Sequence, residues 1–414
     1  MSEASVIAAH LTGARPRVVA ALTHYFRDID LAQDGFQEAS AKALKHWPSN
    51  GIPINAVAWL TVAARNSVLD ELRRSRRQGD LLQKYAPFDT SIENPEDDIL
   101  KLLDENVLRD DILRLLFMCS HPELAPTDQI ALALKVIGGL SVAQIARAFL
   151  LHAKTMEQRI TRAKKKAAAA ATELDVPTAI ERSKRLNSVC TMVYLMFNEG
   201  YSMHSGSMPI SVQLCEEAIR LARLLLSLFP SQPEIMGLLA LFLFQHSRQE
   251  ARTNEAGDLV PLDQQDRAVW NMRHINEAHV LLEKALRIGA AGSYQIQAAI
   301  AGVHCMAKSA DETDWNEIAQ HYEALSRIMP SPVITLNRAV AVSKAQSPEK
   351  ALALLSEAEN DLSSYLYFHV AKADFLQQLG RLNEAKKSYQ TALACGPNDA
   401  EHKLILGKIE KTSN

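Results

Sequence analysis

Apolar positions recur at three- and four-residue spacing along most of the chain, and this period predicts helices. In "QDGFQEASAKALKHW", Phe36, Ala39, Ala43 and Trp47 fall on one face and place Asp34, Glu38 and Lys45 on the other. "WPSNGIPIN" breaks that helix with Pro48, Gly51 and Pro53. "AVAWLTVAARNSVLDELRRSRRQ" resumes it, with Val57, Leu60, Ala64, Val68 and Leu72 as the buried stripe and Asn66, Asp70, Arg73 and Arg77 on the far side. The first candidate unit therefore runs from about Val18 to Arg77.

Periodicity fades from Gly79 to Pro95, where Pro87, Pro95 and surrounding acids predict a linker. It returns at "DILRLLFMCSHPELAPTDQIALALKVIGGL", a helical stretch ended by Gly138 and Gly139, and Ser141 is a suitable N-cap for the next helix. Val142, Ile145, Ala146 and Phe149 make that helix's apolar stripe, and "LLHAK" has the length of the turn in a helix-turn-helix. In the helix after it, Met156, Ile160, Ala163 and Ala167 share one side, opposite Lys154, Gln158, Thr161, Arg162 and Lys165. A helix so divided packs inward while offering cationic, hydrogen-bonding side chains to a DNA groove.

After Pro177 the texture becomes repetitive. Ala373, Gly380, Ala385, Tyr389, Ala392 and Pro397 occupy the small, turn, large and terminal positions of a tetratricopeptide repeat, and Ala339, Ala351, Leu355 and Ala358 echo them one repeat earlier. "WNEIAQHYEALSRIMP", "INEAHVLLEKALRIG" and "CEEAIRLARLLLSLFP" resemble second helices of such units, so a stack of helix pairs is expected.

Composition adds limits. A chain of 414 residues divides into two or three domains by length, and 47% hydrophobic with 22% charged residues belongs to a folded protein. No run reaches the length of a membrane span, and the five dispersed cysteines fit buried thiols in a reducing compartment, so a cytoplasmic location away from membranes is expected. Net charge is only −3, yet basic clusters stand at Arg73, Arg74, Arg76 and Arg77 and at Lys164, Lys165 and Lys166. No P-loop, GxGxxG, HExxH or nucleophile-elbow motif occurs. Glu199 and His204 in "YLMFNEGYSMHSG" are the one catalytic temptation; without a second ligand pair they read as a helix-ending turn, and no enzyme activity, cofactor or metal is expected. One basic helix face alone is ordinary solvated surface, but two in separate small helical units point to nucleic acid.

"DLAQDGFQEASAKALKHWP", "AWLTVAARNSVLDELRRSRR" and "LSVAQIARAFLLHAKTMEQRITRAKKK", in that order and spacing, resemble regions 2 and 4 of a bacterial extracytoplasmic-function (ECF) sigma factor of the sigma-70 superfamily. "FNEGYSMHSG", "RQEARTNEAGDLVPLDQQDRAVWN" and "PSPVITLNRAVAV" resemble the C-terminal extension of the subgroup with a tetratricopeptide-like domain. The resemblance implies an all-α fold: a region 2 domain over 1–78, a linker over 79–100, a region 4 helix-turn-helix domain over 101–175 and a helical-repeat (TPR-like) extension over 176–414. It implies core RNA polymerase and promoter DNA as partners, with Asp34, Gln37 and Glu38 on the polymerase. Asn66, Asp70, Arg73, Arg74 and Arg77 would face the −10 element. Lys154, Thr155, Gln158, Arg159, Arg162 and Lys165 would face the −35 element. The extension would take a protein or small-molecule regulator. The competing expectation is a tetratricopeptide scaffold that binds no polymerase.

Overall fold

The computed structural model describes residues 3–78, 105–149, 151–171, 179–202, 210–254, 260–289, 291–397 and 399–413. Among them are eighteen α-helices and no strand. The chain divides into two compact units, Met1–Met196 and Phe197–Asn414. The linker expected over 79–100 lies outside the described residues.

The first unit opens with a three-helix module, α1 (Glu3–Phe26), α2 (Ile29–Asn50) and α3 (Ala56–Gln78). Asp28 caps α2, its Oδ1 accepting from the amides of Asp30 at 2.8 Å and Leu31 at 3.1 Å. The expected stripe of α2 is buried at Phe36, Ala39, Ala43 and Trp47. Leu60, Ala64, Val68 and Leu72 of α3 are buried against it, with Val57 half-buried. Gly35 sets how closely the two helices cross, since a Cβ there would lie 2.6 Å from Val68 Cγ2 and 3.1 Å from Ala64 O. Trp59 packs edge-on to Trp47 at 5.5 Å between ring centroids.

Two boundaries differ from the sequence reading. The module begins at Glu3 rather than near Val18, because α1 runs through Pro16. Helix α2 continues past Pro48 to Asn50. Pro48 removes one amide there but fits helical φ, and the turn closes when Gly51, at φ 78°, donates its amide to Trp47 O at 2.9 Å.

A second module follows: α4 (Glu105–Cys119), α5 (Pro126–Ala133), α6 (Val142–Ala148) and α7 (Ala153–Ala171). The stretch read as one helix up to Gly139 is two, because Pro126 starts α5 at its first turn. Helix α5 then widens into a π turn, Leu134–Gly138, which Gly139 ends in the left-handed conformation at φ 75°. Ser141 and Gln144 form a reciprocal cap on α6, with Gln144 N donating to Ser141 Oγ at 3.2 Å and Ser141 N to Gln144 Oε1 at 2.8 Å. Helix α8 (Ala179–Ser202) contains the division between the units.

The second unit continues with α9 (Ile210–Leu228), α10 (Pro233–His246), α11 (Met272–Leu286), α12 (Ser293–Met306) and α13 (Trp315–Ile328). Helix α10 is buried at every position from Ile235 to Phe244, as its unbroken apolar sequence requires. Glu234 at its start caps a different helix, accepting from Tyr294 N at 3.1 Å, Gln295 N at 3.2 Å and Gln295 Nε2 at 3.1 Å. A carboxylate on the N-terminus of α12 satisfies amides that have no partner within the helix and opposes the helix dipole. Glu234→Ala is expected to cost about 1 to 2 kcal/mol, read as a lower denaturant midpoint.

Next come α14 (Pro332–Ala345), α15 (Pro348–Ser356), α16 (Leu366–Gln378), α17 (Leu382–Ala394) and α18 (Asp399–Ser413). The pair α14–α15 recurs as α16–α17 with a 34-residue offset, from Pro332 to Leu366 and from Pro348 to Leu382. Ala339, Ala351, Leu355, Ala358, Ala373, Ala385, Tyr389 and Ala392 are all buried, and Gly380 takes φ 72°. Helices α9 to α13 keep the hairpin habit without that spacing.

Candidate nucleic-acid interface

Helix α7 is the second helix of the α6–α7 hairpin, and its first intrahelical bond, Met156 N to His152 O at 3.1 Å, fixes its start at Ala153. Met156, Ile160, Ala163 and Ala167 are buried. Lys154, Thr155, Gln158, Thr161, Arg162 and Lys165 are exposed, so residues 154, 158, 162 and 165 form one outward row at three- and four-residue spacing. Arg159 differs: its half-buried Nε lies 3.3 Å from Asp128 Oδ1 of α5, tying α7 to its own module.

The three lysines at the end of α7 also diverge. Lys165 is exposed. Lys166 donates to Glu123 O at 2.6 Å. Lys164 turns inward, its side chain only 15% exposed, and meets Asp30 Oδ1 at 2.5 Å and Gln33 Oε1 at 2.9 Å on α2.

On α3, Asn66, Asp70, Arg73 and Arg74 are exposed, opposite the buried stripe. Arg73 sits 3.4 Å from Asp70 and Arg74 3.6 Å from Glu71. Exposed pairs of this kind are worth under about 1 kcal/mol, so either arginine exchanges its carboxylate for a phosphate at little cost. Arg77 lies in α3, and its side chain is outside the described residues. On α2, Asp34, Gln37 and Glu38 are exposed in a row.

The two modules pack on each other, α1 against α4 and the π turn. Arg15 of α1 is 8% exposed and donates Nε to Val136 O and Nη2 to Lys135 O, both at 3.3 Å, while its guanidinium lies 5.1 Å from the Phe36 centroid. Those carbonyls belong to the end of the α5 π turn, where a cation is favoured. Gln33 adds a bond to Lys135 O at 3.4 Å, and His24 meets the buried Asp111 at 2.6 Å. Burial, then the charges of Lys164 and Arg15, hold the Lys135 ammonium below its ordinary pKa. Partial desolvation of the carboxyl where α2 meets the π turn, then neighbouring Asp30, raises that of Asp34.

Gly139 is required twice at this contact. Its φ is left-handed, and a Cβ would stand 2.7 Å from Arg15 Cδ and Nε. Gly139→Ala is expected to cost about 1 to 2 kcal/mol from the backbone alone and to displace Arg15, read as a lower unfolding temperature together with looser module packing.

Sequence reasoning missed Arg15, Gln33 and Lys164 as a contact set. The only local signal was an arginine beside a proline in the otherwise apolar "GARPRVVAAL".

The alternative chemistries find little geometry. Glu199 is half-buried, and His204 lies outside the described residues. Cys119 is fully buried, with its thiol pushed up to about 12 by burial, so it is no nucleophile at neutral pH. No cluster of three metal-ligating side chains and no helix long and apolar enough to cross a membrane occurs among the described residues. In the second unit, a groove of about 850 Å³ lies between α14 and α16, with Asn337, Lys344, Tyr365, Tyr367 and Gln378 on its walls.

Residues 12–78, covering most of α1 and all of α2 and α3, match the family model described as Sigma-70 region 2. Residues 114–166 match Sigma-70, region 4. Residues 185–286 match a family of unknown function, DUF6596. An uncharacterized protein of Rhizobium meliloti (strain 1021) is 49% identical over 410 residues, spanning 99% of this chain and 96% of that protein. The likeness therefore runs through the helical extension as well as both modules.

Proposed function

The chain belongs to the sigma-70 family, as an ECF-like factor with a helical C-terminal extension, and from that membership we propose a promoter-specific initiation factor whose modules read the −10 and −35 elements and whose extension modulates it. Binding of core RNA polymerase and promoter DNA follows from the two sigma modules. The observation that carries the finer reading is the outward row on α7, an exposed Lys–Gln–Arg–Lys series on the second helix of a helix-turn-helix. Arginine and glutamine there hydrogen-bond base edges, and the lysines neutralise phosphates.

On α3, Asn66, Arg73, Arg74 and Arg77 would serve the −10 strand, where single-stranded DNA calls for cations along its backbone. Asp34, Gln37 and Glu38 would face polymerase from α2, and the polarity of that row suits an interface that must later release. The groove between α14 and α16 is where a protein or small-molecule regulator would act on the extension.

The module contact gives this reading a physical consequence. Elements at −10 and −35 are about 25 base pairs apart, roughly 85 Å at 3.4 Å per pair. The longest helix of either module has 24 residues, about 36 Å at 1.5 Å per residue, so modules held in contact through Arg15, Gln33 and Lys164 fall short of that distance. The packed first unit is then the form not engaged on a promoter, and loading onto polymerase opens it.

The test is binding of the full chain to core polymerase, with Asp34→Lys plus Glu38→Lys as comparison. Tight binding by the parent and at least tenfold loss in the double variant is the expected result. Equal affinity for both would reject the α2 assignment.

A further inference from the structure

The segment between α10 and α11, residues 247–271, contains the motif "RQEARTNEAGDLVPLDQQDRAVW", which promoter recognition leaves unused. It includes three short 3-10 turns, Gln249–Ala251, Leu262–Gln264 and Arg267–Val269, and it gathers three arginines against the ends of α8 and α12. Arg248 is 7% exposed; its Nη2 donates to the Tyr201 hydroxyl at 3.2 Å and to Gln245, while its buried Nε has no partner. The Arg252 guanidinium lies 3.4 Å from the Tyr201 ring centroid, and its Nη1 donates to Tyr201 O at 3.2 Å. Arg267 lies 4.5 Å from the Trp270 centroid and donates to His304 O at 2.5 Å and Ala307 O at 2.9 Å. Arg248 is itself 6.0 Å from Trp270, so it shares one ring with each of the other two arginines and the three form a continuous row.

Every partner in that row is neutral: a phenol, an indole, a carboxamide or a backbone carbonyl. Among the described residues none of the three arginines has an ion pair with a carboxylate, and Glu312 acts on Arg267 only at longer range. Elsewhere in the same unit arginines are paired as usual, Arg220 with Glu217 at 2.6 Å and Arg223 with Glu277 at 2.8 Å. Converging cations without a counter-charge repel one another, and burial strengthens the repulsion. The neighbouring His304 registers the field: burial, then the charges of Arg248 and Arg267, hold its imidazole down to about 4. Arg248 is buried, while Arg252, Arg267 and His304 are half-buried.

We propose that Arg248, Arg252 and Arg267 form a binding site for a small polyvalent oxyanion, a phosphate-bearing or multiply carboxylated molecule that supplies the counter-charge absent among the described residues. Planar guanidinium groups match both oxyanions by paired N–H donors, and the Nε of Arg248 is an unused donor among them. The bound ion ties Arg248, Arg252 and Arg267 to the ends of α8 and α12. This goes beyond promoter recognition and stands whether or not the chain initiates transcription.

The test titrates the full-length protein with inorganic phosphate, pyrophosphate and citrate at ionic strength held constant with KCl, reading unfolding temperature and calorimetric heat. A ligand that binds only the folded chain raises its stability in a saturable way. The expected result is a saturable rise with at least one probe, weakened at least tenfold in Arg252→Gln and unchanged in Arg223→Gln, with helical content preserved. Saturation by citrate alone identifies a carboxylate ligand, and saturation by phosphate or pyrophosphate a phosphate ligand. No saturable response to any probe in the parent protein overturns the proposal, as does equal affinity in Arg252→Gln and Arg267→Gln. If those variants do not fold, hydrogen exchange in the parent decides: protection by the probe must fall on residues 247–271, and protection elsewhere alone overturns it.

Discussion

Arg15→Ala is expected to open the first unit and to tighten binding of the polymerase-free chain to a DNA carrying both a duplex −35 element and a single-stranded −10 element by about ten- to a hundredfold. Arg15 is buried and holds Val136 O and Lys135 O from across the module contact. Hydrogen bonds from a charged donor are worth about 1.5 to 3 kcal/mol, and each 1.4 kcal/mol is a factor of ten in the closed-to-open ratio. An affinity that depends on the open form rises by the same factor until that form predominates. Adding Lys164→Ala, which removes the Asp30 and Gln33 contacts, should extend the effect. Fluorophores at Lys45 and Lys165 measure the opening directly, as a longer inter-module distance in the variants. A distance identical to the parent's, with unchanged DNA affinity, would remove the account of the closed form. On DNA carrying the −35 element alone, the same variants should gain little, because the outward row of α7 is already exposed.

Arg162→Ala is the second large effect. Arg162 is exposed, and its Nε has only a 3.4 Å contact to Gln158 O in its own helix, so its donors are available to DNA. If it reads a base edge, promoter affinity falls by about 1 to 3 kcal/mol and discrimination relaxes at one position. If it touches phosphate, the loss is uniform across sequences and the salt slope drops by about 1. Arg159→Ala is the informative comparison. Its guanidinium is engaged with Asp128, so its removal should cost module stability more than sequence discrimination. A panel of single-base −35 substitutions, measured at two salt concentrations, separates these outcomes.

What was legible in the sequence is what periodicity encodes. The stripes of α2 and α7 and the cap at Ser141 were readable because each depends on residues within two helical turns. Proline alone does not mark where a helix ends. Pro16 and Pro48 sit inside helices that their neighbours sustain, whereas Pro126 starts a new one. The π turn at Leu134–Gly138 leaves no mark in an apolar run. Contacts between distant segments were not readable at all. Arg15 and Val136 are 121 residues apart, and nothing in either stretch names the other. The arginines at 248, 252 and 267 share no helix face, and irregular turns bring them together, so the composition of the motif showed without its geometry.

Initiation by RNA polymerase at promoters should depend on this chain. The most direct measurement is run-off transcription with purified core polymerase, the full-length chain and a library of bacterial genomic fragments. The predicted result is initiation at discrete sites only when the chain is added, with those sites sharing paired elements near −35 and −10, and with initiation lost in Asp34→Lys plus Glu38→Lys. Transcription indistinguishable from core polymerase alone across the whole library would contradict it.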